Sequence, residues 1–455
     1  MEYKDRFTVY LSDFVEFDTD IIKGGGVPQT KDIQKVLDFA ASWGALHLIV
    51  DGAVTTERLK VHSNTTIECL NSDCGFYLAD NSDVSLFENA NPSMKERNDV
   101  NISFIGGTYN FNCLKQNHDI SPDDKRLIRH YPVLAYEGNT YAFDPNLSVF
   151  GFKFTGVENF VMRNVTTVDQ RTYSMAFCNF KHCLLENVHI RLDNNLYAQN
   201  QDGIHFYGPG QFLTLRNIRG TSGDDFIALA PDENDLESSI TDVLIDGVHL
   251  DNADQGIRML SRGKGRLDRV IVRNVTGTFK SFGFYINPWF DDVKTESHYG
   301  NILIENVDLV QKNHKYGYQK PLLFHFGGRF EKSVTLDNIK YSSEDGGHCI
   351  EIGNHYMNFD DTREFAKTEM ENIFINGLTV ESRGGNQVCP VTVRGKVKNM
   401  AFTGISLKDT AVRAENGGEI KNLLISDGTA AAPLCKGEEN ISNIFTENIV
   451  LKEKI

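Results

Sequence analysis

One phrase recurs nine times and limits what this chain can fold into more than any other feature: a short apolar alternation, then Asn or Gly, then Val, Ile or Leu. It reads FVMRNVTTV from residue 160, LLENVHIRL from 184, LTLRNIRG from 213, VLIDGVHL from 243, VIVRNVTG from 270, ILIENVDLV from 302, VTLDNIKY from 334, IFINGLTV from 373 and MAFTGISL from 400. The small residue falls at Asn164, Asn187, Asn217, Gly247, Asn274, Asn306, Asn338, Gly377 and Gly404. Intervals of 23, 30, 30, 27, 32, 32, 39 and 27 residues are too irregular for a propeller and suit coils that carry loops of varying length. Each phrase is apolar on both faces and ends in a turn residue, as a strand stacked in a parallel sheet does. A hairpin protein would want Asn-Gly or Asp-Gly turns between the phrases, and few occur. The repetition predicts an all-β chain, a single-stranded right-handed parallel β-helix whose Asn ladder satisfies backbone groups from coil to coil.

Ahead of the repeats, QTKDIQKVLDFAASW (29–43) has apolar positions at Ile33, Val36, Leu37 and Ala40, with Thr30 as the expected N-cap. It reads as a short N-terminal capping helix within residues 1–45. The strand-like TTIECL and ISFIGGTYNF place the coils over 46–427, with 428–455 as the C-terminal end. No linker rich in Pro, Gly or Ser interrupts the chain, so residues 1–455 are expected to form one domain.

The formal charge of -16, from 62 acidic against 46 basic residues, argues against a nucleic-acid or anionic-membrane partner. No apolar run reaches the ~18 residues a membrane span requires, and MEYKDRFTVYLSDF lacks a basic segment followed by an apolar core. Localisation is left open: outside the cell or periplasmic if a leader has been removed, cytoplasmic otherwise. The eight cysteines show no zinc-site spacing and read as buried thiols. Six Asn-x-Ser/Thr sequons occur; Asn164 and Asn274 fall inside the repeat, where inward side chains are expected, and these sequons read as chance.

A second strand per coil aligns by its inward apolar pair: YSMAF (173–177), DGIHF (202–206), DFIAL (225–229), QGIRM (255–259) and FGFYI (282–286). The inward columns are then Met175, Ile204, Ile227, Ile257 and Phe284, with Phe177, Phe206, Leu229, Met259 and Ile286 two residues on. On this register Asp202 and Asp225 are neighbours on coils ~4.8 Å apart, and Asp224 sits one residue earlier in the turn after Gly223. Ala176, His205, Ala228, Arg258 and Tyr285 form the expected outward floor. Three converging acids repel, so one should keep its proton near neutral pH. A protonated carboxyl beside ionised ones can protonate a glycosidic oxygen while water is activated, and a gap of roughly 6.5 to 9.5 Å gives inversion.

At these residues the chain resembles the family 28 glycoside hydrolases, the polygalacturonase group. The resemblance rests on Asn200-Gln201-Asp202-Gly203 and Gly223-Asp224-Asp225, and the coil phrases extend it over most of 46–427. It implies Asp224 as general acid, Asp202 and Asp225 as the residues that hold and activate water, and a pectin-type or related plant polysaccharide, or its oligosaccharides, as substrate, with no cofactor and no metal. The chain departs from the family at the third motif, where Gln255 replaces the histidine, and at the fourth, where Tyr285 and Asn287 replace an Arg and a Lys that hold a uronate carboxylate. Either Arg258 takes over that role or the bound sugar is neutral or deoxy. His205, Gln255, Arg258, Tyr285, Asn287 and Trp289 are the expected substrate-binding residues, His205 with orientation of a neighbouring Asp as its alternative role, and Tyr207 and Trp289 are the expected sugar-stacking rings. Two alternatives stand beside hydrolysis: a polysaccharide lyase with calcium on Asp202 and Asp225 and Arg258 as base, and a non-catalytic carbohydrate-binding β-helix. His325 and His355 read as structural.

Overall fold

A computed structural model describes residues 7–116, 150–194, 201–288, 296–314, 321–353, 368–382 and 389–452. The chain divides into two compact units: one holds the residues up to Asp225 together with Glu233–Asp235, the other Phe226–Asp232 and the residues from Leu236 on. Both are built from parallel strands stacked coil on coil. Among the described residues no helix is long and apolar enough to cross a membrane.

In the N-terminal unit the strand Phe152–Arg163 pairs with Met175–Arg191, which pairs with Ile204–Gly220. Phe152, Met175 and Ile204 align, as do Phe154, Phe177 and Phe206. The latter three rings follow one another through the core, Phe177 and Phe206 stacking at 5.2 Å with 14° between planes. Strand alternation sends every second side chain inward, and parallel register puts like residues above like.

In the C-terminal unit the first residues of six repeat phrases form a single column: Val243, Val270, Ile302, Val334, Ile373 and Met400. Leu423 and Ile444 continue it, so LLISDG and IFTENI are further copies of the phrase. Here the hydrogen bond from Leu260 N–H to Leu229 C=O sets Ile227 beside Ile257 and Leu229 beside Met259, as the alignment expects.

The turn residues explain why all nine phrases have Asn or Gly there, with Asp427 in the further copy LLISDG. All nine have positive φ, from 51° at Asn217 to 83° at Gly247, a region that other side chains enter at a cost of roughly 1–2 kcal/mol. The asparagines form a ladder, with side-chain amides bonding to one another where backbone partners are expected: Asn187 Nδ2 donates to Asn164 Oδ1 at 2.9 Å, Asn217 to Asn187 at 3.0 Å, and Asn338 to Asn306 at 2.9 Å. The ladder runs along the surface, however, and Asn164 and Asn274 are exposed where inward side chains are expected. A left-handed residue turns its side chain off the strand's alternation, which takes it out of the core.

The capping segment is helical over Thr30–Leu37 and again over Phe39–Trp43, with Ile33, Val36, Leu37 and Ala40 buried. Gln29, not Thr30, holds the N-cap position. The Thr30 hydroxyl instead accepts from the Glu57 backbone N–H at 2.9 Å, tying the helix to the sheet. Paired strands also extend past both expected coil limits. Phe7–Tyr10 pairs with Leu46–Val50 ahead of the helix, and Ile441–Lys452 pairs with Glu419–Ala431 beyond residue 427. Cys69, Cys74, Cys113, Cys178, Cys183, Cys349 and Cys435 are buried free thiols.

Candidate active site

The three acids are positioned by backbone bonds between coils. Ser174 N–H donates to Asp202 C=O at 3.0 Å and Gly203 N–H to Asp225 C=O at 2.9 Å. In a parallel ladder these bonds set Tyr173 beside Asp202 and Asp202 beside Asp225. Asp224 precedes them in the turn, its carbonyl accepting from Ser222 Oγ at 2.8 Å. Gly223 is required there, because a Cβ would lie 2.8 Å from Gln201 Oε1 and 2.9 Å from Gln201 Cβ. Asp202 is buried, whereas Asp224 and Asp225 are half-buried at the end of the strand Asp225–Ala230, whose other five residues are buried.

Burying Asp202 costs several kcal/mol unless an opposite charge accompanies it. His205 supplies that charge. Its Nδ1 lies 2.9 Å from Asp202 Oδ2 and its Nε2 lies 2.9 Å from Glu233 Oε2. A neutral imidazole has one N–H and could satisfy one of two carboxylates; the protonated ring donates to both. Burial pulls the His205 pKa down, but the hydrogen bonds and charges of Asp202 and Glu233 outweigh it and raise it to about 10. Tyr173 stacks on one side of the imidazole at 4.8 Å and Tyr207 at 4.2 Å. Tyr207 is thus a buried cover for the histidine, not the exposed sugar-stacking ring expected of it. Glu233 escaped the sequence reading: PDENDLE follows the strand as an acidic turn, and no pattern there selects one acid.

In the C-terminal unit Gln255 aligns with Phe282 and Arg258 with Tyr285, as expected. Arg258 is 3% exposed, and its guanidinium carbon lies 4.1 Å from the centre of the Tyr285 ring. Neither Nη1 nor Nη2 has a hydrogen-bond partner among the described residues. Tyr285 aligns in turn with His325. The Gly353 carbonyl, 2.8 Å from His325 Nε2, fixes the proton on that nitrogen, so Nδ1 accepts from Asn287 Nδ2. His325 is a fixed structural link, and it orients Asn287, which is also buried. Trp289, Asn200 and His355 lie outside the described residues. Among the described residues no group of three or more His, Cys, Asp or Glu is arranged to hold a metal ion.

No family model matches the sequence, and no curated protein does. Solved structures do. A hyperthermoactive exopolygalacturonase from Thermotoga maritima matches with a TM-score of 0.53 at 12% identity, covering 98% of this chain and 92% of that one. The family 28 exopolygalacturonase of Yersinia enterocolitica matches with a TM-score of 0.55 at 13% identity, over 99% and 78% of the two chains. The tailspike protein of E. coli bacteriophage HK620, solved with a pentasaccharide, matches with a TM-score of 0.57 at 11% identity, over 98% and 80%. At such identities the likeness is one of fold, and with the parallel stacking described above it makes this chain an all-β, right-handed parallel β-helix protein.

Proposed function

We propose that this protein is a carbohydrate-active β-helix that hydrolyses a glycosidic bond with inversion. Asp224, half-buried and in a turn, donates the proton to the leaving oxygen, while Asp202 and Asp225 hold and activate the attacking water. The observation that carries the reading is the alignment of Asp202 with Asp225 on adjacent coils, with Asp224 next in sequence. In the C-terminal unit, Gln255, Arg258, Tyr285 and Asn287 are the sugar-binding residues. The buried Arg258 guanidinium favours an acidic sugar over a neutral one, since a carboxylate would occupy nitrogens that have no hydrogen-bond partner among the described residues. Solved structures of the same fold include exopolygalacturonases, which supports a pectic substrate. The imidazolium on Asp202 disfavours the calcium-lyase alternative, because a second cation at that carboxylate would be repelled.

The test is turnover on a panel of pectic and neutral oligosaccharides, followed by reducing-end release and ultraviolet absorbance together. Asp224→Asn should lower kcat at least about a hundredfold while leaving binding intact. Residual activity above about a hundredth of wild type contradicts the acid role. Tight binding without turnover in the wild type points instead to a glycan-binding protein.

A further inference from the structure

We infer that Glu233 is a positioning residue: it holds His205 as a cation and through it fixes Asp202 as an anion beside Asp225. The inference rests on the hydrolytic reading of the acids. Its geometric basis is a buried line of three charged groups, with Asp202 2%, His205 5% and Glu233 6% exposed and each contact 2.9 Å long. Asp202 and Glu233 face the two ring nitrogens, Tyr173 and Tyr207 cover the ring, and the register neighbour on the preceding strand is the uncharged Ala176. Asp202 alone would leave the imidazole neutral at little cost, donating one N–H and leaving the other nitrogen's lone pair toward Glu233. The second carboxylate makes that arrangement repulsive, so the ring takes a second proton.

The catalytic consequence concerns charge. Asp202 and Asp225 are neighbours on adjacent coils, and two carboxylates so placed tend to share a proton. An imidazolium bound to Asp202 offsets that tendency and keeps the pair ionised at the pH where Asp224 must still hold its proton. Glu233 therefore acts two links away from substrate. It sits in a segment, Glu233–Asp235, that packs with the N-terminal unit although the residues on both sides of it belong to the other.

Glu233→Gln tests this without a change of shape. The amide can donate to Nε2 of a neutral His205, so the contact survives and the charge does not. Histidine-labelled protein, with His205→Gln used to identify the signal, reports the imidazole's protonation by NMR. In the wild type the His205 ring should remain protonated beyond pH 8, and in Glu233→Gln its pKa should fall by at least about two units. The acid limb of the kcat profile should move to higher pH by about one unit or more, with KM little altered. A wild-type His205 that loses its proton below pH 7 overturns the inference. So does a Glu233→Gln enzyme whose kcat falls uniformly with an unshifted pH profile, the mark of a merely structural role. If the wild type turns over no glycan, the hydrolytic reading falls, while the NMR titration still decides whether Glu233 makes His205 a cation.

Discussion

Two clusters, one in each unit, bury charge in opposite ways. In the N-terminal unit, His205 lies between two carboxylates, and each of these three charges has a counter-charge within hydrogen-bonding distance. In the C-terminal unit, Arg258 is as deeply buried but rests on the face of Tyr285, with no hydrogen bond to either terminal nitrogen among the described residues. A desolvated cation over an aromatic ring recovers about 2 kcal/mol or somewhat more, still less than the several kcal/mol that desolvation of a guanidinium costs. On the hydrolytic reading proposed above, the first cluster holds Asp202 in place through charges that lie within the N-terminal unit. The second leaves both terminal guanidinium nitrogens without a hydrogen-bond partner among the described residues, and on the proposed reading an acidic sugar supplies it.

Removing charge should therefore have opposite effects on the stability of the two clusters. His205→Leu leaves two buried carboxylates without their cation and should lower the unfolding free energy by about 3–5 kcal/mol in urea titrations. Arg258→Met removes an uncompensated charge but keeps much of the apolar stem, so stability should be unchanged or should rise by about 1 kcal/mol. The same variant should bind an acidic oligosaccharide at least about tenfold more weakly by calorimetry and a neutral one unchanged. Equal losses in stability for the two variants would erase the contrast.

A pH titration sharpens it. The His205 pKa is raised from an ordinary value near 6.5 to about 10. The stability it contributes is present in full below about pH 6.5 and is lost as pH rises toward 10. The wild-type Tm should fall between pH 7 and 10 by more than that of His205→Leu. The smallest effect is expected on the surface ladder: Asn338→Ala loses the bond to Asn306 and, at φ 54°, the tolerance of the left-handed region that asparagine has and alanine lacks, costing about 1–2 kcal/mol, and Asn338→Gly should cost less.

The sequence carried the fold because the fold is repetitive: nine copies of one phrase average out the ambiguity that a single strand would leave. The register columns through Met175 and Ile204, and through Ile257 and Phe284, were legible for the same reason. The surface position of the ladder was not, since a left-handed turn residue leaves the strand's alternation. At the site, Asp202 and Asp225 were found through their strands, and Arg258 through its alignment with Tyr285. Glu233 lies in an irregular segment after its strand, where contacts depend on how a loop returns and not on any period. Tyr207 was placed correctly on its strand, but its use, covering His205, follows from a histidine state that only two converging carboxylates reveal.

Inverting hydrolysis by acids gathered on neighbouring coils dictates the anomeric configuration of the first product. Proton NMR of the first-formed product from a defined oligosaccharide tests it most directly, read before mutarotation. Attack by water on the face opposite the leaving group should give a hemiacetal of inverted anomeric configuration. A retained anomer, or an unsaturated product absorbing in the ultraviolet, would contradict it.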